Sequence, residues 1–128
     1  MKILKNKYLL SLFSIIALII IFLNLMPKAI DMDLGKIGDG QVSVVFVYDS
    51  NLAVSNKQAV EINKAQEIIG DKVNFLVANI GDPKTEDFRV RYQARTTDIL
   101  IFNSKGELID RKMALVLAED FIEITSGI

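Results

Sequence analysis

Two hydrophobic patterns divide the chain. The first is a block, YLLSLFSIIALIIIFLNLM at 8–26, which runs 19 residues without a charge and without a polar face. At about 1.5 Å rise per residue it spans about 28 Å, close to the ~30 Å hydrocarbon core of a bilayer. The second pattern begins at residue 41, where short apolar runs alternate with amphipathic stretches. VSVVFVY (42–48) is β-branched and aromatic, and its near-continuous apolarity predicts a central strand covered on both faces. A polar turn, Asp49 to Asn51, follows it. A helical period then runs over 53–69 and stops at Gly70, with Ala59, Ile62, Ala65 and Ile69 on the inward stripe and Lys57, Glu61, Lys64 and Glu67 outward. SNKQ (55–58) fits a capping box, and Asn51 offers a cap one turn earlier.

VNFLVA (73–78) is a second buried strand, so 41–79 forms a βαβ unit with a right-handed crossover. NIGDP (79–83) is a turn cluster, and 84–92 reads as a short helix with Phe88 and Tyr92 inward. ILIF (99–102) is a short buried strand, NSKG (103–106) a tight hairpin turn, and 107–112 its antiparallel return. A last amphipathic helix covers 116–124 with Leu117, Phe121 and Ile124 inward. The order is β-α-β-α-β-β-α, an α/β sandwich of three layers behind one N-terminal transmembrane helix. Val45, Phe46, Phe75, Val77, Leu100 and Phe121 are the expected core.

Three domains of use follow: an anchor over 1–26, a flexible linker over 27–40, and the folded part over 41–128. The linker, PKAIDMDLGKIGDG, has three glycines and three aspartates, with a short edge strand around 32–37 as the alternative. The anchor is preferred to a cleaved signal because 19 apolar residues exceed the usual ~7–15 of a signal's core. A secreted domain released near Ala29 is the alternative. Lys2, Lys5 and Lys7 precede the block and no acid does, which directs the N-terminus to the cytoplasm and the domain to the extracytoplasmic side, periplasmic or extracellular.

Composition narrows the chemistry. The chain holds no Cys and no His, which removes disulfides, thiolate nucleophiles and histidine bases, and no cofactor or metal is expected. Residues 27–128 carry 12 Lys/Arg against 16 Asp/Glu, a mildly acidic balance that argues against nucleic acid. The paired carboxylates Asp31/Asp33, Glu86/Asp87 and Glu119/Asp120 read as linker or helix-end charges.

Four stretches in order resemble the thioredoxin fold over 41–125: VVFV (44–47), NIGDP (79–83), YQARTTDILIF (92–102) and NSKGE (103–107). The resemblance places a Cys-x-x-Cys pair at Asn51 and Val54, or at Leu52 and Ser55 after a shift of one residue. It places a buried acid at Val45 and a cis-proline at Thr97. All four positions are replaced, so the resemblance implies a redox-inactive member. With Pro27 and Pro83 the chain's prolines, Thr96–Thr97 is expected to be trans, since a non-proline cis bond costs about 2.5–4 kcal/mol.

The candidate surface lies at the carboxyl end of the central strand, where open α/β sheets place their sites. Ser50, Asn51 and Ser55 follow that strand, and Arg95, Thr96 and Thr97 precede the third. Asn51 and Ser55 serve either as ligand donors or as helix caps, and capping is the commoner use. Ser55 as a nucleophile needs a base, and Lys57 is the residue at hand. Extended backbone at 96–97 could pair with a peptide. Arg89, Arg91 and Arg95 form an anion patch or a solvated face. These features favour a protein-binding, scaffold or assembly module with a partner in the envelope. An enzyme of unrecognised type on the Asn51/Ser55/Thr97 surface is the alternative.

Overall fold

The computed structural model describes residues 2–25 and 29–128. Helix α1, Lys2–Leu25, leaves every side chain over 6–24 exposed and is long and apolar enough to cross a membrane. Its one amide side chain in the second half, Asn24, donates back to the Ile20 carbonyl at 2.9 Å, which satisfies the group within the helix. Met26, at the end of the apolar block, and Pro27 and Lys28, the first residues of the expected linker, lie outside the described residues.

Strand β1 (Val42–Tyr48) is the centre of a four-stranded sheet. β2 (Val73–Asn79) runs parallel to it from Val42↔Val73 to Tyr48↔Asn79, joined by α2 (Ala53–Ile69). β3 (Asp98–Phe102) pairs antiparallel on the other side, from Ser43↔Phe102 to Phe46↔Ile99. β4 (Leu108–Met113) returns antiparallel, and the sheet order is β2-β1-β3-β4. β1, β2 and β3 are buried on both faces because helices and the 34–37 segment cover the sheet from either side, which is why they read as apolar runs. β4 is an edge, and Asp110, Arg111 and Lys112 give it the charge that discourages edge pairing.

Alternation along the strands sorts the core into two layers. On one face Val44, Phe46, Phe75, Val77, Ile99 and Ile101 pack against α2 and α4 (Ala118–Ser126). Phe75 meets Phe121 edge-on at 5.8 Å. On the other face Val45, Val47, Leu76, Leu100 and Phe102 pack against α3 (Glu86–Tyr92) and the 34–37 segment. The six expected core residues are all buried.

The structure corrects several local expectations. The capping box at Ser55 and Gln58 does not form: α2 starts at Ala53 with Leu52 as its cap residue and no side-chain cap bond. Gln58 is instead fully buried, donating to the Val116 carbonyl at 2.8 Å and accepting the Val116 amide at 2.7 Å. That pair of bonds ties α2 to the entry of α4 and leaves the buried amide satisfied. Ala59 is half-buried, and the stripe runs Ser55, Gln58, Ile62, Ala65. Leu117, expected inside, is exposed, because α4 begins at Ala118 and Leu117 is its cap residue in extended backbone.

The linker expected over 27–40 does not describe residues 29–40. The Asp31 carbonyl accepts the Val77 amide at 2.8 Å, a single parallel bridge on the free edge of β2 in place of an edge strand. Asp33 then caps a 3₁₀ turn, Leu34–Lys36, by accepting the Gly35 amide at 3.0 Å. Leu34 and Ile37 pack on the second core layer. Gly38 approaches Gly106 of the β3–β4 turn so closely that a Cβ on Gly106 would lie 3.1 Å from the Gly38 Cα. The glycines and aspartates that read as mobile chain are serving close approach and capping.

Candidate functional site

Three chain segments meet at the carboxyl end of β1. The first is the loop into α2. Asp49 leads it: its carboxylate accepts the Asn51 amide at 2.9 Å and its carbonyl accepts the Leu52 amide at 3.1 Å, an Asx-turn inside a β-turn. The Asp49 amide donates to Ser55 Oγ at 3.2 Å. Tyr48 donates its hydroxyl to Asn56 Oδ1 at 2.6 Å, and Asn56 Nδ2 reaches the Ser50 carbonyl at 3.4 Å. The loop is thus locked by its neighbours, with Asp49 and Asn56 holding it and Ser50 and Asn51 exposed on top.

The second segment is the turn before β3. The Asp98 amide donates to the Arg95 carbonyl at 3.0 Å, so Thr96 and Thr97 are the central residues of a β-turn. Thr97 has φ 75°, the left-handed region that such a turn normally gives to glycine. Asp98 closes the turn from below. Its carboxylate is buried and accepts the Arg95 amide at 2.8 Å and the Arg111 guanidinium at 3.1 Å. Arg111 also donates to the Tyr92 carbonyl and, at 3.1 Å, to that of Gln93. This Asp98–Arg111 clamp was not among the sequence-read site residues. The signal was present in the hairpin: Asp98 pairs with Met113, which puts Arg111 at a diagonal position two residues away.

The third segment is 113–117, between β4 and α4. The Ala114 amide donates to the Thr97 carbonyl at 3.0 Å, and Gln58 holds Val116. The bond between Ala114 and Leu115 is cis, whereas Thr96–Thr97 is trans.

The six sequence-read residues therefore separate. Ser50, Asn51 and Arg95 are exposed, and Thr96 and Thr97 are half-buried beside them. Ser55 is fully buried under the loop, while Lys57 is exposed on the outside of α2, so the serine nucleophile is inaccessible. Extended backbone at 96–97 is also absent: the Thr97 amide donates to the Val47 carbonyl at 3.0 Å and its carbonyl is held by Ala114. The residues missed from sequence are apolar. Leu52, Met113, Leu115 and Leu117 are exposed to 38%, 65%, 47% and 44% around the two loops. Arg89, Arg91 and Arg95 do not gather into one patch. Arg89 donates to Thr85 Oγ1 at 3.2 Å, and Arg91 lies over the Tyr92 ring.

Replacement at Thr97 goes deeper than one side chain. A proline fixes φ near −65° and has no amide. Thr97 sits at φ 75° and uses its amide on Val47, so no proline fits this backbone.

No protein-family model matches the sequence, and no curated protein sequence does either. Solved structures do match. Thioredoxin-2 of a malaria parasite, described as a component of that parasite's protein secretion machinery, superposes with a TM-score of 0.62 at 16% identity, over 69% of this chain and 84% of that one. A mutant thioredoxin from Halobacterium salinarum gives 0.62 at 11% identity, over 73% and 79%. A thioredoxin-like protein from Clostridium perfringens gives 0.63 at 13% identity, over 69% and 71%. The chain has the thioredoxin fold, and it has no cysteine with which to carry out thiol chemistry.

Proposed function

We propose that this protein is a membrane-anchored, envelope-facing thioredoxin-fold domain that binds a protein partner as a scaffold or assembly module. The apolar rim at the carboxyl end of β1 carries the reading. Leu52, Met113 and Leu115 are large and exposed on segments that backbone hydrogen bonds through Thr97 bring to this end of the sheet, as at protein-binding surfaces. Beneath them the chain is closed by hydrogen bonds, with Ser55 buried, and the sequence offers no thiol and no histidine. The anchoring half rests on α1, which is long and apolar enough to cross a membrane and leaves its apolar side chains exposed. Lys2, Lys5 and Lys7 favour the N-terminus inside and the domain outside.

A photo-crosslinking residue at Leu115 tests the binding surface in membranes of the native host, with Ile68 on α2, also exposed, as the control. The expected result is one protein adduct at Leu115 and none at Ile68. Equal adducts at both, or none at either, would overturn the surface. A reporter fused after Ile128 that is active only in the cytoplasm would overturn the orientation, and a mature N-terminus near Ile30 would replace the anchor with a cleaved signal.

A further inference from the structure

A second surface lies away from that rim, on the face of the sheet that carries α3. A cleft of about 470 Å³ opens between the 34–37 segment and α3. Its floor is Leu34, Ile37, Phe88 and Tyr92, each packed on the second core layer and each half-buried. Its rim is cationic. Lys84 comes from the 3₁₀ turn Pro83–Thr85 and Arg91 from α3, which continues it, while Lys105 comes from the β3–β4 turn, so two separate stretches of chain bring three charges to one rim. Asp87 is the one carboxylate lining the cleft, which leaves a local surplus of two positive charges in a domain where acids outnumber bases. Among the described residues none of the three cations is in an ion pair.

We propose that this cleft docks on anionic lipid headgroups of the bilayer that holds α1. The inference rests on reading α1 as membrane-spanning. Chain length selects lipid over a free acidic partner. α1 ends at Leu25, and Asp31 is already bonded to the edge of β2. Six residues extend at most about 20 Å, at ~3.3–3.6 Å each. Leu34 and Ile37, one wall of the cleft, follow directly on that attachment. The cleft therefore meets the bilayer surface at high effective concentration, whereas a soluble acidic peptide has no such tether. The floor suits the same site. An aromatic ring with one polar end settles at headgroup depth, and Tyr92 is such a ring, lying with the apolar Phe88 just inside the charged rim.

The test uses the full chain, whose lack of cysteine lets a single introduced thiol carry a spin label. Ser104→Cys, next to Lys105, reports the cleft, and Glu67→Cys on α2 reports the opposite face. Each is placed in nanodiscs of phosphatidylcholine alone, or with about a third phosphatidylglycerol to supply the anionic surface. Relaxation by a headgroup-chelated gadolinium ion reads the proximity. The expected result is enhancement at 104 and not at 67, only with the anionic lipid. It should vanish in about 1 M salt, where the screening length falls to ~3 Å. Each Lys or Arg at such a surface strengthens docking about fivefold, so Lys84→Gln/Arg91→Gln/Lys105→Gln should lose the effect while the chain stays in the disc. Equal relaxation at 104 and 67 in both lipids would overturn the docking and leave the anchor standing. A chain that never enters neutral discs would instead overturn the anchor. Salt-sensitive binding of a glutamate-rich peptide in neutral discs, without any lipid effect at 104, would overturn the lipid and assign the cleft to an acidic protein segment.

Discussion

On one face of the sheet, Phe46, Phe75, Ile99 and Ile101 are sealed by two helices, of 17 and 9 residues, that close over them completely. On the other, Leu100 and Phe102 are covered by a helix of 7 residues and by a segment of irregular chain. On the first face Phe46, Phe75 and Phe121 are at or near zero exposure, and Tyr48 at the strand end is half-buried. The second leaves Phe88 and Tyr92 half-buried, their rings tilted against each other with centroids 5.0 Å apart beside a cleft. Long helices bury a continuous stripe, and short elements leave gaps between their ends. One face therefore concentrates stability, while the other trades burial for accessible surface.

The strongest way to break that contrast is a matched pair of truncations. Phe46→Ala empties a fully buried site and is expected to cost about 3–5 kcal/mol. Phe88→Ala removes a ring already half in water and should cost about 1–2 kcal/mol on the same scale. Denaturant unfolding of the domain, read at equilibrium in both variants, checks the order. Equal losses would mean that the two faces share the stability evenly.

A second, smaller effect sharpens what seals the first face. Gln58→Ala leaves the Val116 amide and carbonyl buried without partners, at an expected cost of about 1–3 kcal/mol. Gln58→Leu should be no better, since it restores volume and not the hydrogen bonds. If Leu restores wild-type stability, apolar packing alone holds α4 on α2.

At the boundary between the faces lies Thr97, whose φ of 75° disfavours a β-branched side chain. Thr97→Gly should raise stability by up to about 1.5 kcal/mol, the left-handed penalty of ~1–2 kcal/mol less glycine's entropic cost of ~0.5–1 kcal/mol. A fall in stability would show that the threonine side chain holds the turn by contacts that outweigh its strain.

The difference between the faces also explains what was legible in the sequence. β1, β2 and β3 were readable because burial on both sides forces unbroken runs such as VSVVFVY, and the six core residues followed from them. The thioredoxin order was readable for the same reason, since strand and helix periods differ. Local polar residues misled. SNKQ has the composition of a cap, yet Ser55 and Gln58 bond to Asp49 and Val116, and only the tertiary structure shows that Val116 lies within reach. Residues 29–40 misled in the same way, because glycine and aspartate serve tight packing as well as mobile chain. The candidate surface was half legible. Topology puts Ser50, Asn51, Arg95, Thr96 and Thr97 in the two loops at the carboxyl end of β1, exposed or half-buried. The apolar rim was not legible: a last helix started at 116 points Leu117 inward, whereas the observed start at Ala118 leaves that leucine at the cap position and exposed, and Leu52, Met113 and Leu115 lie outside any helical period.

The smallest effect concerns the pin that holds residues 29–40 against the second face. The Asp31 carboxylate accepts from the Lys36 ammonium and, at 2.9 Å, from the Asp33 amide. Lys36 first, and then the Asp33 amide, hold the Asp31 carboxyl below the ordinary carboxylate range. The same bond from Asp31 raises Lys36 above the ordinary lysine range. Asp31's contribution is complete above its unfolded value, about 4, and is lost as pH falls through the lower folded value. Lys36's contribution is complete below its unfolded value, about 10.4, and is lost as pH rises through the higher folded value. Both side chains are more than a third exposed, so solvent screens the pair and global stability should barely move at either extreme. The expected change is local. Asp31→Asn should weaken hydrogen-exchange protection of the Val77 amide, which the Asp31 carbonyl accepts, and leave the β1 amides unchanged. Neutral-pH protection at Val77 in the variant should resemble that of the wild type in acid, where Asp31 is protonated. A loss spread over β1 as well would mean that the pin belongs to the global fold, and the contrast between a sealed face and an open one would no longer hold.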